Sequence, residues 1–141
     1  MDQDNIPPAH PDPWVNLLHG YVTKSVEALQ AGGLRVERSW LDPRDPRDAT
    51  IIFTHPAASV PAAKLALVWD EATGWRRGVF ESGEPGVRTV LSDAIYLGGG
   101  VLPAGQEVVN RLLAGNSEPP RHYRRVTDLR DGLDDALLDR D

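Results

Sequence analysis

"LALVWDEATGWRRGVF", Leu65 to Phe80, is the stretch that decides the fold of this chain. Leu65, Leu67 and Trp69 alternate with Ala66, Val68 and Asp70, and Trp75, Arg77 and Val79 alternate with Arg76, Gly78 and Phe80. Two runs of period two flank the polar "DEATG", which predicts a β-hairpin closing on Gly74, a residue type that takes positive φ at little cost. If Asp70 to Gly74 is the loop, Trp69 and Trp75 oppose each other as a cross-strand pair; a slip of one residue sends them to opposite faces. Hairpin packing accounts for both indoles, and adjacent Arg76 and Arg77 point to opposite faces, so no basic patch forms. One exposed indole, Trp75 with Arg76 beside it, is at most what the hairpin offers a partner.

Upstream, Asp12 is an N-cap and Pro13 sits at the first helical position. Trp14, Leu17, Leu18, Tyr21, Val22, Val26 and Leu29 then recur at three- and four-residue spacing until Gly32 and Gly33, predicting one continuous helix. "LRVERSWL" switches to period two, with Leu34, Val36, Arg38 and Trp40 on one face of a strand. "DPRDPRD" is loop, because each proline restricts the residue before it and withholds a donor. Its Arg44 and Arg47 read as solvated side chains or, in the alternative, as contacts to phosphate or an acidic partner. "ATIIFTH" is a second strand rich in β-branched residues. Downstream, a further strand is expected around Arg88 to Leu97, and a second helix from Pro103 to Ala114 with Val108, Val109, Leu112 and Leu113 as its stripe.

Composition bounds the function. The chain has 141 residues, no cysteine, four histidines and a formal net charge of −6. The missing thiols remove disulfides, thiol catalysis and cysteine-ligated metal, and agree with a cytoplasmic location. The acidic balance argues against nucleic acid, and no apolar run approaches the ~20 residues of a membrane span. His10, His19, His55 and His122 have no metal-ligand spacing, the serines stand in no nucleophile elbow, and the carboxylates suggest turns and solvated faces. No catalytic residue, metal or cofactor is expected, and the chain is read as a non-enzyme.

Gly98, Gly99 and Gly100 precede the second helix and invite a ligand reading, since bare backbone N–H groups near a helix start attract anions. No nucleotide-binding motif surrounds them, and Glu107 places negative charge in the first helical turn. A tight strand-to-helix turn is the economical alternative. The tail differs in character: Arg121, Arg124 and Arg125 surround Tyr123, then acidic residues carry Leu129, Leu133 and Leu137 four apart. That pattern suits a solvated extension or a segment that orders on a partner.

The order "HGYV", "DATI", "ALVWDE", "GW" and "LGGGVLP" resembles a family of small actinobacterial proteins carrying a domain of unknown function, over about His19 to Leu113. The resemblance implies no activity and transfers no site residues.

The expected architecture is α+β: a two-layer sandwich with an antiparallel meander of four or five strands and an N-terminal and a C-terminal helix on one face. Residues 1–11 are expected to be disordered, 12–116 to form the domain and 117–141 to be a charged extension. The sheet's outer face then needs a cover, which predicts a homodimer. The function expected is accessory or regulatory, binding an unidentified protein through the outer face or through Trp75, Arg76, Tyr123, Arg124, Arg125, Leu129, Leu133 and Leu137. The alternatives are a small-ligand or nucleotide module at Gly98–Gly100, and an enzyme of unfamiliar type.

Overall fold

A computed structural model describes residues 6–42, 47–54, 64–124 and 132–139. Among them the chain runs α1 (Pro13–Asn16), α2 (His19–Ala31), β1 (Arg35–Asp42), β2 (Asp48–Thr54), β3 (Leu65–Asp70), β4 (Gly74–Glu84), β5 (Val87–Tyr96), α3 (Gly105–Leu113) and α4 (Leu133–Asp139). The five strands form one antiparallel sheet in the order β1-β2-β3-β4-β5. The fold is the expected α+β meander, since each hairpin places the next strand beside the last. No described helix is long and apolar enough to cross a membrane.

The deciding hairpin takes the register that opposes the tryptophans: Trp69 pairs with Trp75 and Asp70 with Gly74. Asp70 closes the turn, its Oδ1 accepting from the N–H groups of Ala72 and Thr73 at 2.8 and 2.7 Å. Gly74 has φ +75°, and a Cβ there would lie 2.4 Å from the Gly100 carbonyl oxygen. Gly74→Val is therefore expected to cost about 2–4 kcal/mol: positive φ accounts for ~1–2 and a backbone contact with no flexible side chain to yield supplies the rest. Urea denaturation of the variant measures it; a loss under about 0.5 kcal/mol would contradict the close approach.

The predicted single helix is two. In a continuous helix the Trp14 carbonyl would accept from Leu18 N–H, but Arg47 Nη1 takes that carbonyl at 3.1 Å and Leu18 N–H bonds Val15 O at 3.0 Å. A tertiary hydrogen bond thus breaks the ladder between α1 and α2. Residues 6–11, part of the segment expected to be disordered, are held as well: His19 Nε2 donates to Pro7 O at 2.9 Å, and Ile6 packs on the core.

The helix-facing side of the sheet carries Val36, Leu41, Ala49, Ile51, Phe53, Leu67, Trp69 and Trp75, covered by Tyr21, Val22, Val26 and Leu29 of α2 and Val108 and Val109 of α3. β1 does not keep one face throughout. Val36 pairs with Phe53 but Arg38 with Ile52, so an extra residue at Glu37 sends Arg38 and Trp40 to the opposite side from Val36.

That opposite side is not bare. β4 and β5 carry three register shifts along their length, and their distal half curls back over it. Phe80 meets Trp40 edge-on at 6.5 Å, Thr89 and Thr50 share a hydrogen bond of 2.7 Å, and Gly86 N–H donates to Asp42 at 2.9 Å. Trp40, Ile52, Ala66 and Val68 are all buried. The half-apolar outer face from which a homodimer was expected is covered by the chain's own hairpin.

Candidate ligand pocket at the triglycine turn

The two tryptophans hold the segment that follows β5. Trp69 Nε1 donates to Val101 O at 2.6 Å; Trp75 Nε1 donates to Tyr21 Oη at 3.0 Å, and that hydroxyl donates to Pro103 O at 2.5 Å. Buried indole and phenol groups need such partners, and here the bonds end on two carbonyls just after one turn. Leu97 N–H bonds Trp75 O at 3.1 Å, so the turn is anchored at both ends.

Between those anchors Gly98, Gly99 and Gly100 have φ +76°, +92° and +87°. Three successive residues in this region would strain any other residue type. Side chains at the first two would also collide: a Cβ on Gly98 falls 2.7 Å from Glu118 Cγ, and one on Gly99 falls 2.8 Å from Arg111 Nε. None of the three N–H groups takes part in a backbone hydrogen bond among the described residues.

The glycines form one wall of a pocket of about 320 Å³, completed by Arg111, Glu118, Pro119, Arg121 and Tyr123. Arg111 is fixed by Glu107, one helical turn earlier, at 2.9 Å and by Leu97 O at 3.2 Å. The far wall is the strap 118–124. Its start bonds β5 through Glu118 N–H to Tyr96 O, 2.8 Å, and its end bonds the β3–β4 turn through Tyr123 N–H to Ala72 O, also 2.8 Å.

A buried ion network secures the same end of the molecule. The Arg47 side chain is 1% exposed; it makes a fork to Glu71, with Nε to Oε2 at 3.2 Å and Nη2 to Oε1 at 3.1 Å, and stacks over Trp14 at 4.0 Å. Glu71 Oε2 also accepts from Arg47 N–H at 2.5 Å, Oε1 accepts from Arg124 at 2.8 Å, and Arg47 reaches Asp134 of α4 at 2.8 Å. Planar guanidinium–carboxylate pairing is the arrangement that makes such burial tolerable. The network joins α1, the start of β2, the β3–β4 turn, the strap and α4.

Beneath the curled hairpin lies a carboxyl pair. Asp42 and Asp48 are opposed in the β1–β2 register and both are buried. Asp42 accepts from Trp40 Nε1 at 3.1 Å and from Gly86 N–H; Asp48 faces Arg88 at 3.7 Å. Burial, then the charge of Asp42 and a hydrogen bond to it, push Asp48 up to about 8 against the opposing pull of Arg88 and Arg76. Asp48 is therefore protonated in the folded state from about pH 4, where the unfolded group ionises, up to about 8, so the fold holds the extra proton and loses stability as pH rises across that window. The slope reaches at most about 1.4 kcal/mol per pH unit. Asp48→Asn, which donates permanently, is expected to flatten the profile and gain on the order of 1–3 kcal/mol at pH 8. Denaturation at pH 5, 6.5 and 8 checks this; parallel profiles for both proteins would refute it. With 0% and 1% of the two residues exposed, the pair is closed to any substrate.

The residues singled out in the sequence fare unequally. Gly98, Gly99, Gly100, Arg121 and Tyr123 come together at one pocket. Trp75, at most the one indole that the hairpin could offer a partner, is buried in the core, and Arg76 is paired with Asp70 at 3.0 Å. Arg124 is engaged with Glu71 rather than presented to solvent. Leu133 and Leu137, assigned to a separable extension, are 7% and 0% exposed and belong to the core. Arg47, read as a solvated loop side chain or a partner contact, is sealed inside. Arg44, Arg125 and Leu129 lie outside the described residues. Among the described residues no group of three His, Cys, Asp or Glu side chains is arranged to hold a metal ion.

The fold defines a small α+β meander domain whose buried tryptophan pair shapes a glycine-walled pocket. Residues 21–114 match the model of a family of unknown function, DUF6292, and the chain belongs to that family. No curated protein and no solved structure matches the chain.

Proposed function

We propose that this protein is a non-enzymatic binding module that takes a small polar ligand carrying an anionic group at the Gly98–Gly100 turn. The observation that carries the reading is the meeting of three positive-φ glycines with Arg111 and Arg121 around one pocket. Backbone N–H groups in such turns favour anions, and a guanidinium adds charge-assisted hydrogen bonds. Glu118 and Glu107 favour a ligand that also bears a donor, such as a mononucleotide or a phosphorylated or amino-bearing metabolite, over free phosphate. The pocket's 320 Å³ sits at the lower end of the roughly 300–1,000 Å³ of ligand sites, which disfavours a dinucleotide.

Thermal denaturation against mononucleotides, sugar phosphates and amino acids tests the reading. A ligand at a hundred times its Kd is expected to add about 2.7 kcal/mol, and Gly99→Ala and Arg121→Ser to abolish the shift. No response across the panel, or an unchanged response in both variants, would sink it. A protein partner is the second reading, supported by Val87 and Val90, which are 49% and 53% exposed near the tip of the β4–β5 hairpin. It acts through that tip or through Tyr123 and not through the covered outer face.

A further inference from the structure

A second cavity lies on the helix-facing side of the sheet, away from the triglycine turn. It measures about 220 Å³ and is lined by Phe53 of β2, Leu65 of β3, Arg77 and Gly78 of β4, and Leu112 and Leu113 at the end of α3. The register explains why an arginine is there. Arg77 pairs with Leu67 and lies two residues beyond Trp75, both of which face the helices, so strand alternation turns its side chain to the apolar layer.

Arg77 differs from the buried or half-buried arginines that have a carboxylate partner. Arg47 and Arg124 share Glu71, Arg76 has Asp70, and Arg111 has Glu107. The Arg77 side chain makes no ion pair or hydrogen bond among the described residues, and its Nε is buried with no acceptor. A buried N–H without an acceptor is unfavourable, so the Nε–H of this half-buried arginine is a donor that an incoming acceptor would satisfy. Among the described residues the rest of the lining, Phe53, Leu65, Gly78, Leu112 and Leu113, brings no side-chain acceptor.

We propose that this cavity is a binding site for a compact monocarboxylic acid with an aryl or short alkyl body, the carboxylate paired with Arg77 and the body against Phe53, Leu65, Leu112 and Leu113. Three features select that chemistry. A guanidinium matches a carboxylate through two parallel hydrogen bonds. One cation among apolar walls suits a single negative charge, whereas a doubly charged phosphate would bring charge with nothing to neutralise it. The volume also fits: a dry cavity of roughly 150 Å³ accommodates benzene, so 220 Å³ holds a ring or short chain with its carboxylate. Leu113, 50% exposed, stands at the cavity's edge as part of the entrance.

Isothermal titration of the full chain with phenylacetate and hexanoate, and with 2-phenylethanol and phenethylamine as neutral and cationic counterparts, tests the site. Phenylacetate is expected to bind at least tenfold more tightly than 2-phenylethanol, and phenethylamine not at all. Arg77→Met, of similar length and apolar, should remove the preference for the acid, while Arg77→Lys should keep it at reduced affinity. Arg121→Ser should leave phenylacetate binding unchanged, which separates this site from the triglycine pocket. On the unmodified protein, methyl NMR should place the phenylacetate-induced shifts at Leu65, Leu112 and Leu113, a readout that stands even where a variant fails to fold. Failure of phenylacetate to bind at millimolar concentration, equal binding of acid and alcohol, undiminished preference in Arg77→Met, methyl shifts confined to other residues, or sedimentation as a dimer that excludes the acid would each overturn the proposal.

Discussion

Truncation after Asn116 is expected to lower stability by roughly 3–6 kcal/mol, because it removes Leu133 and Leu137 from the core at ~1.5–3 kcal/mol each. It also takes Asp134 and Arg124 out of the Arg47–Glu71 network. Against a total stability of about 5–15 kcal/mol for a domain of this size, such a loss leaves the truncated chain partly unfolded at ordinary temperature. A charged extension over 117–141 would instead leave the melting point nearly unchanged on removal. Circular dichroism melts separate the two, with a midpoint lowered by roughly 10–20 °C expected for the docked tail. Leu137→Ala gives the same answer without shortening the chain, at an expected cost of about 2–5 kcal/mol. An unchanged midpoint in both would show that α4 adds nothing to the fold.

Glu71→Ala is expected to cost about 3–5 kcal/mol, the penalty for stranding a buried guanidinium. Arg47 would lose both arms of its fork and the acceptor for its backbone N–H, and Arg124 its carboxylate. The size of the effect comes from what is left behind, not from the worth of the pair. Replacing Arg47 by Met together with Glu71 by Leu should therefore cost less than Glu71→Ala alone, since the Arg47 charge is no longer stranded and Arg124 keeps its bond to the carbonyl oxygen of residue 71. Urea denaturation of the two variants and the wild type gives the comparison. A Glu71→Ala loss under about 1 kcal/mol, or a double variant worse than the single, would show that the network is solvated in solution.

These two effects fall on residues that sequence reasoning placed in loops and a tail, and the reason is distance along the chain. Arg47 and Glu71 are 24 residues apart and Arg47 and Asp134 are 87 apart. Nothing local distinguishes a buried arginine in "DPRDPRD" from a solvated one. The carboxyl pair left a fainter trace. Asp42 and Asp48 bracket that loop symmetrically, and any hairpin centred on it sets them face to face. What could not be read was the lid that buries them, because β4 and β5 curl only through register shifts that leave no fixed signature in composition.

The local pattern by itself determined the elements that depend on neighbours in the chain. Period-two alternation on both sides of "DEATG" placed the hairpin and left two registers open, of which the fold took the one that opposes Trp69 and Trp75, and Gly74 took the positive φ that the turn requires. The apolar stripe of α3 and the meander order follow from the same short-range logic. Tertiary structure alone decided which faces are closed and which groups meet. The extra residue at Glu37 reversed the expected face of Trp40, Arg47 broke the first helix by claiming the Trp14 carbonyl, and α4 brought Leu133 and Leu137 into the core. Secondary structure answers to periods of two and 3.6 residues, whereas burial and pairing answer to the whole surface that the folded chain presents.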